Sequence, residues 1–355
     1  MPAASGGIAV LKRNLLFFAV SGLLAAGIMI NTVTLFSKIN FFADAVGEDY
    51  IKWVEFDVPY AAMEKALNLD IKTKESGCHI EWVENLAYLA TKYGGNWKKY
   101  KAKDMDRYVQ EVKNGRTAEE LCKDTLKYYR YFLEAYDAVL GGMVGEFEIE
   151  SADTVGTDQP QMVKKYGLKA YSPVAYGYSF SHYDDFGNSR DYGYKRKHLG
   201  NDLLGSIGTP IVAVESGTVE AAGWNQYGGW RIGIRSFDKK RYYYYAHLRK
   251  GHPFHPTVQE GAVVQAGDVI GYLGMTGYST KEDVNGMTKP HLHFGMQLIF
   301  DESQKEGNNE IWIDVYQIVK LLQKHTSPVV RNEETKDYTR KYRFTDPIVP
   351  QNGST

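Results

Sequence analysis

Beyond about residue 171 this chain breaks into short β-branched and aromatic runs, each closed by glycine or another turn residue. Ile211-Val212-Ala213-Val214, Trp230-Arg231-Ile232-Gly233-Ile234 and the stretch from Arg241 to Tyr245 are three of them. Runs this short, with turn signals about every 8–12 residues, suit antiparallel strands rather than helices. The pattern predicts an all-β antiparallel domain over residues 171–326. Val258-Gln259-Glu260-Gly261 and Ala266-Gly267-Asp268 read as turns inside it. Residues 311–323 read as a short closing helix, and residues 327–355 as a loosely held polar tail.

The chain ahead of this domain has a different period. Residues 47–145 read as an α-helical region, with Ile80, Val83, Leu86, Ala87 and Ala90 on one stripe until Gly94-Gly95. Thr117 and Glu120 form a capping box before Cys122, Leu126, Tyr129, Leu133, Tyr136 and Leu140. This series lies on one helical face and ends at Gly141-Gly142. Residues 146–170 lose that period and read as a polar linker.

Residues 15–36, LLFFAVSGLLAAGIMINTVTLF, are a long apolar run of 22 residues. A helix needs roughly 20 to cross a bilayer. Lys12 and Arg13 before it predict a short cytoplasmic tail, residues 1–14, and an extracytoplasmic remainder. A cleaved signal ending near Ala43-Asp44-Ala45 competes, but its apolar core would span only about 7–15 residues. The expected fold is thus α+β overall: a transmembrane helix, an α-helical region, a linker and a β domain.

A formal net charge of -1 gives no electrostatic ground for nucleic-acid binding. Two cysteines, Cys78 and Cys122, make no disulfide framework, although they can pair in an exported region. With no C-x-x-C, a metal would have to be held by histidine and carboxylate.

Eight of the nine histidines lie in the β-rich half. Three motifs stand out: His198-Leu199-Gly200-Asn201-Asp202, Tyr245-Ala246-His247-Leu248 and His291-Leu292-His293-Phe294. Both H-x-H and H-x-x-x-D have even spacing, so each pair shares a face of an extended strand. Two imidazoles and one carboxylate leave a fourth zinc position open, the arrangement of a catalytic site. Another histidine can then move the proton of a water. Spacing alone does not say which member of H-x-H is the ligand. His79 stands alone, and His252 and His255 sit in a proline-bounded loop; all three read as structural.

From about residue 190 to 296 the chain resembles the lysostaphin/LytM-type zinc metallopeptidases, the duplicated hybrid motif. The resemblance rests on the three histidine motifs together with Gly208-Thr209-Pro210, Gly271-Tyr272-Leu273-Gly274 and Thr276-Gly277, all in the family's order. It implies one Zn2+ on His198, Asp202 and His293, with His247 and His291 as catalytic histidines. It also implies a bacterial endopeptidase cutting peptidoglycan cross-links or stem peptides, which agrees with the membrane-anchored, wall-facing topology predicted independently from residues 15–36. The alternative is a silent family member acting as an envelope scaffold or activator, with the helical region as a platform for protein partners. Two loops depart from the family pattern, residues 278–290 and 251–256, and Gly295 stands where an acidic residue is common. A biotinyl-type carrier, suggested by residues 263–271, lacks the lysine-centred hairpin it would need.

Overall fold

Apolar periodicity in the first half produces four helices and one isolated helical turn: α1 (Tyr60–Thr73), α2 (Trp82–Tyr93), α3 (Ala102–Lys113), α4 (Ala118–Leu121) and α5 (Leu126–Leu140). These come from a computed structural model that describes residues 50–350 except residue 193. All five of these segments belong to one compact unit that begins at Val54.

Gly94 stops α2 in the left-handed conformation, with φ of 61°, and its N–H reaches the Thr91 carbonyl. A side chain there would be strained, which is why glycine holds such C-terminal positions. Thr117 and Glu120 make the reciprocal capping box, yet α4 lasts a single turn. The chain unwinds through Cys122 before α5 starts at Leu126, so Leu133 is only half-buried. Tyr129, Phe132, Ala135, Tyr136 and Val139 form the buried face instead. Trp97 donates its indole N–H to the Tyr136 hydroxyl at 2.8 Å, satisfying both polar tips.

Seventeen strands follow among the described residues. β1 (Val144–Glu150) and β2 (Met162–Leu168) form a hairpin. β3 (Ser181–His182), β4 (Ser189–Tyr192), β5 (Tyr194–Lys197) and β6 (Asn201–Leu204) lead into β7 (Pro210–Val212), β8 (Gly217–Asn225) and β9 (Gly229–Ser236). Next are β10 (Arg241–Ala246), β11 (Val263–Val264), β12 (Val269–Tyr272), β13 (His291–Leu298) and β14 (Ile311–Ile313). A sixth helix, α6 (Tyr316–Leu322), precedes β15 (Val329–Arg331), β16 (Tyr338–Arg340) and β17 (Phe344–Thr345). The main sheet runs β11-β8-β9-β10-β13-β6-β3, with β14 also on β13. β10 shows why it is antiparallel and two-faced. Arg241, Tyr243 and Tyr245 point into the core, while Tyr242 and Tyr244 are half-buried on the other face.

Several expectations need correction. Among the described residues no helix is long and apolar enough to cross a membrane, and the run at 15–36 lies outside them. The fold class of the described residues is a helical region joined to a mostly β domain, with no transmembrane helix among them. Residues 146–170 are no linker, because most of β1 and all of β2 fall within them as a hairpin. Their charges sit across strands from one another, as at Glu148 and Lys164, so a polar hairpin imitates a linker in sequence. Residues 327–350 are not loose either. β17 pairs with β1, the Phe344 and Phe147 rings stack at 5.4 Å, and buried Asp346 accepts from Lys169 Nζ at 2.8 Å. The closing helix of residues 311–323 splits into β14 and α6.

The helices are joined to the sheet through Arg241, whose side chain is fully buried. Its Nη1 donates to the carbonyls of Asp137 and Ala138 at 3.2 and 2.8 Å, in the last turn of α5. Carbonyls in the last turn of a helix are short of partners within it, and a cation there also suits the helix dipole. Glu215 takes Nε at 2.7 Å and Nη2 at 3.1 Å, and Tyr243 donates its hydroxyl to the same carboxylate at 2.7 Å. Gly142 must be glycine for this approach, since a Cβ there would collide with Glu215 Oε1. Arg241→Met strands a buried carboxylate and should cost about 3–5 kcal/mol of unfolding free energy in urea. The double variant Arg241→Met/Glu215→Leu should recover about half of that loss.

Candidate metal centre and its cleft

β13 lies between β10 and β6, and the register aligns Ala246, His293 and Asp202 in one cross-strand row. Paired residues point to the same face, so the Asp202 carboxylate and the His293 imidazole meet above the sheet. His291 is two residues earlier on β13 and shares that face. His198 arrives from the segment before β6. Gly200 allows this, because a Cβ there would sit 2.8 Å from the His293 ring and 2.6 Å from the Phe294 carbonyl.

His198 Nε2 lies 2.7 Å from His293 Nδ1 and 3.0 Å from Asp202 Oδ1, and His293 Nδ1 lies 3.4 Å from that oxygen. The donor atoms of these three residues all fall within 4.8 Å of one another. Ligands about 2.0–2.1 Å from a tetrahedral zinc stand roughly 3.3 Å apart, so the set fits such an ion. The structure thus brings His198, Asp202 and His293 together, and it identifies His293 as the H-x-H member in the cluster.

His247 and His291 border the same point. Their ring centroids are 4.7 Å apart, and the His247 ring is 6.0 Å from that of His293. His247 Nδ1 bonds the Thr276 carbonyl at 2.8 Å, and His291 Nδ1 bonds the Lys289 carbonyl at 2.8 Å. A carbonyl only accepts, so both Nδ1 atoms carry protons, and in the neutral rings Nε2 is the basic nitrogen. His291 Nε2 stands 3.7 Å from Asp202 Oδ1. Burial, then the neighbouring His291 and His293, push His247 well below the usual histidine range. His247 also has a φ of 61°, a strained backbone for a side chain with a Cβ. His252 lies outside this cleft, bonded to Asp337 at 2.7 Å, and His79 is bonded to Asp70 at 3.0 Å in the helical region.

Two residues not foreseen from the sequence surround His198. Asp185 Oδ2 is 3.2 Å from His198 Nδ1, and Asp185 Oδ1 accepts the Asp202 N–H at 3.2 Å. Arg190 Nη2 donates to Asp185 Oδ2 at 2.6 Å and to Asp202 Oδ2 at 3.0 Å. Burial opposes charge on His198, but the hydrogen bonds to Asp185 and Asp202 outweigh it and raise its pKa to about 9. Burial likewise opposes charge on Asp202, and the bonds to His198 and His293 reverse the effect, leaving it far below the usual carboxylate range. Asp185 holds the His198 tautomer with Nε2 towards the cluster, as the outer carboxylate of a metal-bound histidine does. The only sequence signal was two adjacent acids, Asp184-Asp185, in a loop.

The cleft above these groups has a volume of about 170 Å³. Arg190, Arg196 and Lys197 line one side, and Tyr227, Tyr278 and Met287 also border it. Tyr244 lies below, with its ring at 5.8 Å from that of His293.

Residues 196–307 match Peptidase family M23. Over 124 residues the chain is 38% identical to an L-Ala–D-Glu endopeptidase of Bacillus subtilis, covering 35% of this chain and 36% of that protein. Over 98 residues it is 42% identical to lysostaphin of Staphylococcus staphylolyticus, covering 27% and 18%. The solved catalytic domain of lysostaphin from Staphylococcus simulans aligns at 32% identity and a TM-score of 0.32, over 40% of this chain and 92% of that one. The chain therefore spans little more than a third of the first curated relative and less than a fifth of the second.

Asp185 supplies a test independent of any reaction. Asp185→Ala should weaken divalent-cation binding about 10–100-fold in chelator competition, with an unchanged circular dichroism spectrum. Unaltered affinity would exclude an orienting role for this carboxylate.

Proposed function

We propose that this chain, whose residues 196–307 form a Peptidase family M23 domain, is a zinc-dependent endopeptidase that hydrolyses peptide bonds in peptidoglycan cross-links or stem peptides. The observation that carries the reading is the convergence of His198, Asp202 and His293 beside two histidines whose Nδ1 atoms are committed to carbonyls. One Zn2+ per domain would be held by those three residues. When bound, the ion supplies Lewis acidity towards a water and a peptide carbonyl.

The protein's own groups perform the rest. Kept neutral by burial and by its imidazole neighbours, His247 leaves its Nε2 lone pair free at physiological pH to accept a hydrogen bond from a water or a substrate N–H. His291 has the same tautomer, and its Nε2, 3.7 Å from Asp202 Oδ1, can accept a proton during the reaction and return it afterwards. Asp185 and Arg190 hold His198 and Asp202 in their orientations, and Tyr244 floors the cleft. The curated relatives' names include endopeptidases for an L-Ala–D-Glu bond and for glycyl-glycine bonds, which supports a wall peptide as substrate. Peptidoglycan lies outside the cytoplasmic membrane, so this reading carries an extracytoplasmic site of action.

The test uses the full chain loaded with Zn2+ and purified walls of several cross-link types, with released amino groups as readout. His247→Ala and His291→Ala should each lose about 10²–10⁴ in rate while retaining the metal. Asp202→Ala should lose both. A wild-type protein that holds zinc and opens no wall preparation would remove the hydrolase and leave a scaffold.

A further inference from the structure

The charge in the cleft is one-sided. Its basic residues, Arg190, Arg196 and Lys197, all belong to the β4–β5 hairpin, whose residues 189–197 carry four cations and one carboxylate, Asp191. Tyr227, Tyr278 and Met287 supply no positive or negative side chain, and Asp202 is the sole carboxylate lining the space.

The three cations are not equivalent. Arg190 is matched by Asp185 at 2.6 Å and Asp202 at 3.0 Å. Arg196 lies between two aromatic rings, with its guanidinium carbon 4.9 Å from the Tyr227 centroid and 5.1 Å from that of Tyr278. Its Nη2 donates to the Tyr278 hydroxyl at 2.8 Å, and Nη1 is buried, with no hydrogen-bond partner among the described residues. Aromatic faces steady a guanidinium without cancelling its charge. Lys197 is exposed and has no side-chain partner among the described residues. Clamping the hairpin accounts for Arg196 but not for Lys197. Two adjacent cations with no carboxylate partner therefore stand on one wall of a narrow cleft, where a field is concentrated rather than dispersed by solvent.

We propose that Lys197, together with the clamped charge of Arg196, makes this site selective for an acidic peptide, with Lys197 receiving a free carboxylate carried by a residue beside the scissile bond. A glutamyl residue in a stem peptide offers such a group, since one of its carboxyls remains outside the chain. A glycine bridge has none. The inference rests on the hydrolase reading above and specifies its substrate class. Such a wall gains little from a neutral peptide, so its charge acts through discrimination more than through total affinity.

The experiment compares two fluorogenic peptides that differ in one group: an alanyl-glutamyl peptide with a free carboxylate and its carboxamide twin. Pentaglycine is a third probe. The zinc-loaded full chain should favour the carboxylate over the amide by about 5–20-fold in kcat/KM, mainly through KM. The preference should shrink at high ionic strength. Lys197→Gln and Arg196→Gln should each reduce it with metal content unchanged. Tyr278→Phe, which removes the Arg196 hydrogen bond and no charge, should keep it. Equal turnover of the twins, stronger cleavage of pentaglycine, or undiminished preference in Lys197→Gln would overturn the proposal. If neither peptide nor whole walls are cut, hydrolysis itself fails. Anisotropy binding of the same twins to the zinc-loaded protein then decides the carboxylate preference separately.

Discussion

The arrangement depends on the register of β13 between β10 and β6. His293 faces Asp202 on one side and Ala246 on the other, so three distant parts of the chain meet in one row. A slip by one residue would turn every side chain of the strand over, sending both histidines into the core. The interior resists that exchange. Leu292, Phe294, Met296 and Leu298 are buried below the sheet, and the Phe294 ring lies 5.3 Å from that of Tyr245. The hydrophobic packing under β13 thus sets the positions of the polar groups above it.

A second layer of hydrogen bonds turns this placement into chemical identity. Imidazole has two nitrogens, and the Thr276 and Lys289 carbonyls commit one on each of His247 and His291. Asp185 does the same for His198. Gly200, Gly228 and Gly295 mark where neighbours press too closely for a Cβ, against His293, Tyr244 and Trp312 in turn. Trp312 packing over Gly295 explains why this chain has glycine immediately after His-Leu-His-Phe: an acidic side chain there would meet the indole.

Much of this was legible because local parity carries it. H-x-H reads as a same-face pair because both histidines lie on β13, whereas His198 reaches Asp202 from a bend before β6 and not along one extended strand. The order of the motifs carried the family resemblance, which the match to Peptidase family M23 over residues 196–307 supports. The capping box at Thr117 and the stop at Gly94 are likewise local events with local causes. What escaped depends on contacts between remote segments. Asp185 and Arg190 acquire meaning only when the hairpin folds back on β6. The β1–β2 hairpin looked like a linker because its partner, β17, lies far along the chain. Length and apolarity suggested a membrane span at residues 15–36, whereas no described helix has that character.

The pairing of β1 with β17 also bears on synthesis. Phe147 and Phe344 lie in one core cluster with Tyr171, Val212, Val269 and Tyr272, although nearly two hundred residues separate the two rings in the chain. A ribosome delivers Phe147 long before Phe344. Until Phe344 emerges, the nascent protein exposes one side of that cluster and the unpaired edge of β1. The hairpin must therefore wait, half-covered, while the whole histidine-bearing sheet is made.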